Sequence, residues 1–247
     1  EQAAGADIER DVLSLSVGRN GDATRWNSRL EFRDDAGAVD RVQWITSNRI
    51  DHKVGESMTL FGKLNLSFTE DQDLDRDDAR FIESGVGFAW RPVVHDRWNV
   101  LGRYTYLYDL PTLEQVPLRT DQKSSVFSME ALYDLNRRWE LGMKLASRTS
   151  EIRTDRDAGS WFENDANLAM LRGRYHLVQG WDGIAEYRRL WSEESEDARS
   201  GFLVGVDRHI GGHMKLGVGY NFTDFTDDLT DLDYDGHGWF INLTGKY

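Results

Sequence analysis

Trp239-Phe-Ile-Asn-Leu-Thr-Gly-Lys-Tyr247 closes the chain, and its alternation decides the fold. Side chains of an extended strand point to opposite faces with a period of two. Trp239, Ile241, Leu243 and Tyr247 therefore share one face, and Asn242, Thr244 and Lys246 share the other. Gly245 stands where a further large apolar residue would complete the first face. A strand that is apolar on one side and polar on the other separates an apolar phase from water. A transmembrane barrel asks this of every strand, apolar toward lipid and polar toward a wet lumen.

The pattern runs back through most of the sequence. Met58, Leu60, Gly62, Leu64, Leu66 and Phe68 alternate with Thr59, Phe61, Lys63, Asn65 and Ser67. Trp98, Val100, Gly102, Tyr104, Tyr106 and Tyr108 alternate with Asn99, Leu101, Arg103, Thr105 and Leu107. Met214, Leu216, Val218, Tyr220 and Phe222 alternate with Lys215, Gly217, Gly219, Asn221 and Thr223. A tilted membrane strand needs about 9–11 residues, and these runs reach it; strands of soluble proteins are roughly half as long.

Connections alternate as well. Short ones lie near Val54–Ser57, Pro92–Asp96, Asn136–Arg137, Gln179–Gly180 and Ile210–His213. Long acidic ones lie near Glu70–Asp78, Asp109–Asp121, Thr149–Asn164, Ser192–Asp197 and Asp224–Gly236. Short turns at one rim and long loops at the other are the asymmetry of an outer-membrane barrel, with the short side periplasmic. Just after the short turns, Trp26, Met58, Trp98, Trp139, Trp181 and Met214 each open a strand, which places them at the periplasmic membrane interface. With Trp239 and Tyr247 they form the expected interfacial girdle. The spacing of the middle repeats, about 40 residues, resembles that of propeller blades, but a blade packs four short strands where this chain has two long ones.

Twelve strands are expected, over 24–34, 39–51, 57–69, 79–91, 97–109, 122–135, 138–150, 165–178, 181–192, 199–208, 213–225 and 237–247. Residues 1–23 are expected to be partly ordered and not to span: Leu13, Leu15 and Val17 share a face, but it runs back into Asp11 and Glu9. Single-chain bacterial barrels have even strand numbers, so fourteen is the alternative, and both termini are expected to be periplasmic.

Composition agrees. Hydrophobic content of 39% and charged content of 30% leave no run long enough for a membrane helix, whereas a barrel needs apolar residues only at alternate positions. Nine Trp, nine Tyr and eleven Phe suit aromatic girdles, and three Pro suit long strands. A net charge of −13 argues against nucleic acid. Without cysteine there is neither a disulfide framework nor a thiol site. Glu1-Gln-Ala-Ala-Gly-Ala-Asp7 lacks the basic start and apolar stretch of a signal peptide, so an exported protein would be represented here in mature or trimmed form.

Arg199-Ser-Gly-Phe-Leu-Val-Gly-Val-Asp207, Val218-Gly-Tyr-Asn-Phe-Thr-Asp-Phe225 and Gly238-Trp-Phe240 carry a resemblance. They are similar to the carboxyl-terminal barrel domain of large Gram-negative surface proteins, commonly labelled OmpA-like or simply outer-membrane proteins. The two-step pattern extends the likeness back to about Trp26. The resemblance implies outer-membrane lipid and lipopolysaccharide as surroundings, the barrel assembly machinery as reader of the last strand, and a larger upstream chain or surface partner. It describes barrel construction and names no activity.

The expected inward set is rich in charge: Arg29, Glu31, Arg33, Arg49, Lys63, Glu83, Arg91, Arg103, Glu130, Glu140, Lys144, Arg148, Arg172, Arg174, Glu186, Arg188, Asp207 and Lys215. Such a lining either favours anions in a pore or braces the wall through cross-strand ion pairs that satisfy buried charge. Mixed signs on neighbouring strands favour bracing. With twelve strands the lumen would be narrow, and Phe61, Leu101 and Leu132 would fill it further. Asp224, Asp227, Asp228, Asp231, Asp233 and Asp235 lack the spacing of a calcium loop and read as a solvated acidic loop. His95, His209 and His213 fall at short turns, His176 points inward beside Arg174, and His237 lies near Asp233 and Asp235. No nucleophile motif accompanies them, so no enzymatic activity, cofactor or metal is expected. Two functions stay open: an anchor for a larger surface protein, and a passive small-solute channel leaning toward anions.

Overall fold

A computed structural model of the chain describes residues 9–37, 40–73, 76–110, 121–155, 158–178, 180–225, 229 and 237–245. Its strands are β1 (Glu9–Asn20), β2 (Thr24–Ala36), β3 (Arg41–Val54), β4 (Met58–Asp71), β5 (Arg76–Trp90), β6 (Trp98–Leu110), β7 (Asp121–Asp134), β8 (Trp139–Arg153), β9 (Phe162–Val178), β10 (Trp181–Trp191), β11 (Ala198–Ile210), β12 (Met214–Asn221) and β13 (Gly238–Gly245). They form one 13-stranded antiparallel sheet in which every neighbour is consecutive in sequence. This is the all-β, up-and-down architecture expected from the alternation.

The strand count rises by one because Glu9–Asn20 pairs along its whole length with β2, from Glu9↔Ala36 to Asn20↔Arg25. Residues 1–23 were expected to be partly ordered outside the twelve strands; within them Glu9–Asn20 is a thirteenth strand of the sheet. Backbone pairing needs no apolar side chain at Glu9, Asp11 or Arg19, so a strand can outrun its apolar row. This strand moves the start of the sheet. Glu9 lies at the rim with the longer connections, whereas β13 ends at Gly245 on the other rim.

Connections at the second rim cover 21–23, 55–57, 91–97, 135–138, 179–180 and 211–213, and those at the first cover 37–40, 72–75, 111–120, 154–161, 192–197 and 222–237. Gly55 and Gly211 take φ of 70° and 66° in two of the tight turns, a conformation that costs glycine nothing. Two expected loops are at least half paired strand. Asp71↔Arg76 continues the β4–β5 ladder past a bulge at Thr69/Glu70, and Ile152↔Phe162 continues β8–β9. The strands continue past the apolar belt at this rim, and pairing there buries Asp71, Asp78 and Ser150.

The two faces differ sharply. On the outer face, Leu30, Leu64, Val86, Phe127, Leu145, Leu171, Phe202, Val218 and Ile241 are all exposed, Ile241 at 76%. On the inner face, Leu168, Met170, Glu186 and Arg188 are buried. A water-soluble monomer rarely exposes an apolar patch beyond a few hundred Å²; this one runs across the whole sheet.

Candidate functional site: the polar inner face

Period two puts the charged residues on one face, and register decides which of them meet. Glu31 sits between Arg29 and Arg33 on β2, with both ion pairs at 2.5 Å and the carboxylate almost fully buried. Arg49 pairs with Asp51 at 3.1 Å. Lys63 reaches Glu83 at 2.6 Å across β4–β5, and the Asn65 amide donates to the same carboxylate at 3.0 Å. Glu186, opposite Arg172 in the ladder, accepts from Arg172 at 2.6 Å and from Arg188 on its own strand. Arg174 pairs with Glu140 at 2.8 Å, and Lys215 with Asp207 at 2.5 Å.

Register places four further expected site residues. Glu130 is opposite Lys144 in the β7–β8 register, yet the two form no ion pair. Arg148 is flanked across the ladders by Val126 and Ala166, and its buried Nε has no hydrogen-bond partner. Arg103 lies on the same face, opposite Gly87 and Ser128.

A cluster at the short-turn rim escaped the sequence reading. His176 Nδ1 and His209 Nε2 hold the two oxygens of Asp182 at 2.6 and 2.9 Å, stitching β9, β10 and β11 together. The carboxylate is 5% exposed, whereas the imidazoles are half exposed. The sequence places His209 at a short turn; the β10–β11 register of Asp182↔Asp207 brings it two places away on the same face. Among the described residues no group of three or more His, Asp or Glu could hold a metal ion.

The second omission is apolar. Phe225 and Leu229, beyond the end of β12, are buried against Val126, Ala146 and Leu168 from β7, β8 and β9. The described part of the 222–237 connection therefore folds across the inner face rather than standing in solvent as expected. Asp227, Asp228, Asp231, Asp233 and Asp235 lie outside the described residues, and with them the expected partners of His237, whose ring meets Tyr220 edge-on at 5.5 Å. A sequence signal existed: two large apolar residues in an aspartate-rich loop.

On the outer face the girdle residues find aromatic partners. Trp98 packs on Tyr133 at 4.4 Å and Trp139 on Tyr175 at 4.7 Å, while Arg208 covers Trp181 at 5.2 Å. Trp26, Met58 and Met214 stand at the same rim, opposite Ile50, Trp90 and Ile210. Trp239 belongs to the other border, opposite Tyr220 at 5.3 Å; Tyr247 lies outside the described residues. Beyond that border Trp161 carries Lys123 and Arg153 on its ring at 4.5 and 4.7 Å.

An apolar belt bordered by aromatics around a charged inner face is the architecture of the outer-membrane β-barrels. Solved structures share it. The sheet is similar to the siderophore receptor PirA from Pseudomonas aeruginosa (TM-score 0.62, 10% identity, 87% of this chain and 41% of the receptor). It is also similar to the ferric citrate transporter FecA in its unliganded form (TM-score 0.55, 13% identity, 88% and 42%), and to OmpT, an outer membrane protein of Vibrio cholerae (TM-score 0.50, 9% identity, 89% and 87%). The chain spans less than half the length of the two receptors. No family model and no curated protein matches it.

Proposed function

We propose that the chain is an outer-membrane barrel wall that anchors a larger surface protein or assembly, with an inner face built for bracing rather than for solute transfer. The ion-pair ladder carries this reading. Arg29, Arg33, Arg49, Lys63, Arg172, Arg174, Arg188 and Lys215 are all matched by carboxylates of the same wall. The Arg188–Glu186 pair is nearly buried, where an unpaired charge would cost several kcal/mol, while the more exposed Arg29, Arg49 and Lys63 are neutralised where they stand and offer little to a passing anion. Phe225 and Leu229 add an apolar obstruction on that face. The likeness of residues 199–240 to carboxyl-terminal barrels of large surface proteins supports the anchor role. The Lys123–Trp161–Arg153 stack beyond the upper border suits a headgroup region rich in phosphate, consistent with the longer connections facing the exterior.

Planar-bilayer recording tests it. The parent protein is expected to give little steady conductance, and Phe225→Ser with Leu229→Ser is expected to raise it. A parent with large, solute-selective conductance would make the protein a porin. That second reading draws on Arg148 and Lys144, inner-face cations with no ion-pair partner among the described residues. If it holds, Arg148→Ala with Lys144→Ala shifts the reversal potential toward cations; under the anchor reading the double variant leaves it unchanged.

A further inference from the structure

Among the described residues both edges of the sheet are bare. β1 bonds to β2 on one side, β13 bonds to β12 on one side, and no Cα of β1 lies within 8 Å of β13. The β1 edge is long and regular: it runs unbroken from Glu9 to Asn20, with no proline and no register shift. Charges sit only near its ends, at Glu9, Arg10, Asp11 and Arg19, while Leu13, Leu15 and Val17 continue the apolar belt along its middle. A strand at the depth of the belt cannot leave a row of N–H and C=O groups unpaired, because lipid offers them no partner. An uninterrupted edge of this kind is a template for another strand.

Direction restricts the occupant. The order of rims makes β1 and β13 parallel, each running from the longer connections to the short turns, so they cannot close on each other as the antiparallel ladder found everywhere else in the sheet. A second copy in the same membrane orientation would bring β13 against β1 and meet the same conflict. Only an odd number of intervening strands lets both edges pair antiparallel, which also yields the even total of single-chain bacterial barrels. Every neighbour in the sheet is consecutive in sequence, so the strand next to β1 should be the one that precedes it in the chain.

We infer that the free edge of β1 is an assembly edge, filled in the mature barrel by an odd number of amphipathic strands of the same polypeptide N-terminal to β1. The first rises from the short-turn rim and turns into β1 at the longer rim. It carries apolar side chains beside Leu13, Leu15 and Val17 and small or polar ones beside Ser14 and Ser16. The similar receptors fit the inference: this sheet matches PirA and FecA over only 41% and 42% of their chains, as a sector of a wider wall would. The inference rests on the membrane-wall reading.

The test is site-specific photo-crosslinking of the full-length protein in native outer membranes, with the photoreactive residue placed at Ser14 or Ser16. The expected product is an intrachain link to a segment outside Glu9–Tyr247, located by peptide mass, with no dimer band. A link to β13 would overturn the inference in favour of direct closure, and a crosslinked dimer would overturn it in favour of a second copy. Absence of any product at both positions, while the same probe at Ser47 on β3 links to β4, would show a bare edge and overturn it too. Retention of the chain in membranes after an alkaline wash separates failure of this inference from failure of the membrane reading.

Discussion

Asp182 illustrates how a single inner-face residue holds several strands. Its two oxygens serve imidazoles on both flanking strands, so its loss orphans two donors at once. Asp182→Ala is expected to lower unfolding stability by about 1–3 kcal/mol, read from urea titration in lipid vesicles by tryptophan fluorescence; an unchanged midpoint would deny the cluster a structural role. Asp165 does comparable work beyond the belt. It accepts backbone N–H groups of Glu193 and Glu194 at 3.1–3.2 Å and the Ser192 hydroxyl at 3.0 Å. Those bonds, the Glu194 amide foremost, hold its carboxyl below the usual aspartate range. A depressed acid stabilises the fold above its unfolded pKa and loses that effect as pH falls through the folded one. Order in the 192–197 connection should therefore persist at mild acidity and fail only below the ordinary aspartate range. At neutral pH, Asp165→Ala should expose the bonds after Glu193 and Glu194 to a glutamate-specific protease; equal cleavage of parent and variant would contradict the cap.

At the scale of an element, β12 and β13 show what alternation conveys and what it withholds. Leu216, Val218 and Tyr220 face outward as read, opposite Leu243, Ile241 and Trp239. Val218→Arg places a charge in the belt and is expected to cost ~2–4 kcal/mol if Val218 lies near the midplane, measured by reversible unfolding from vesicles; a neutral result would move Val218 out of lipid. The inner face of the same pair holds Gly219, where a Cβ would come within 2.5 Å of the Phe240 ring and of the Val204 carbonyl oxygen. Period two assigns the face of every residue in such a strand without a structure; Arg91, expected inward, lies past the end of β5 in the 91–97 connection, where the period no longer applies. It is silent on register, which is why the Arg172–Glu186 and Arg174–Glu140 partners and the His209–Asp182 contact could not be read. It is equally silent where it stops: the apolar row of β1 is too short to mark a spanning strand, and a connection such as that holding Phe225 and Leu229 has no period to follow.

Over its described residues the molecule is a wall, apolar on one side and charge-laced on the other, and the apolar side is expected to meet lipid. The absence of cysteine makes a clean scan possible. Single cysteines from Lys215 to Asn221 can each carry a spin label in protein reconstituted into lipid vesicles, with collision rates measured against dissolved oxygen and a water-soluble nickel chelate. The account predicts alternation of period two. Labels at Leu216, Val218 and Tyr220 should collide with oxygen and be shielded from nickel, whereas those at Lys215, Gly217, Gly219 and Asn221 should not show this lipid signature. Seven labels with uniform nickel accessibility would contradict it, leaving a sheet that stands in water.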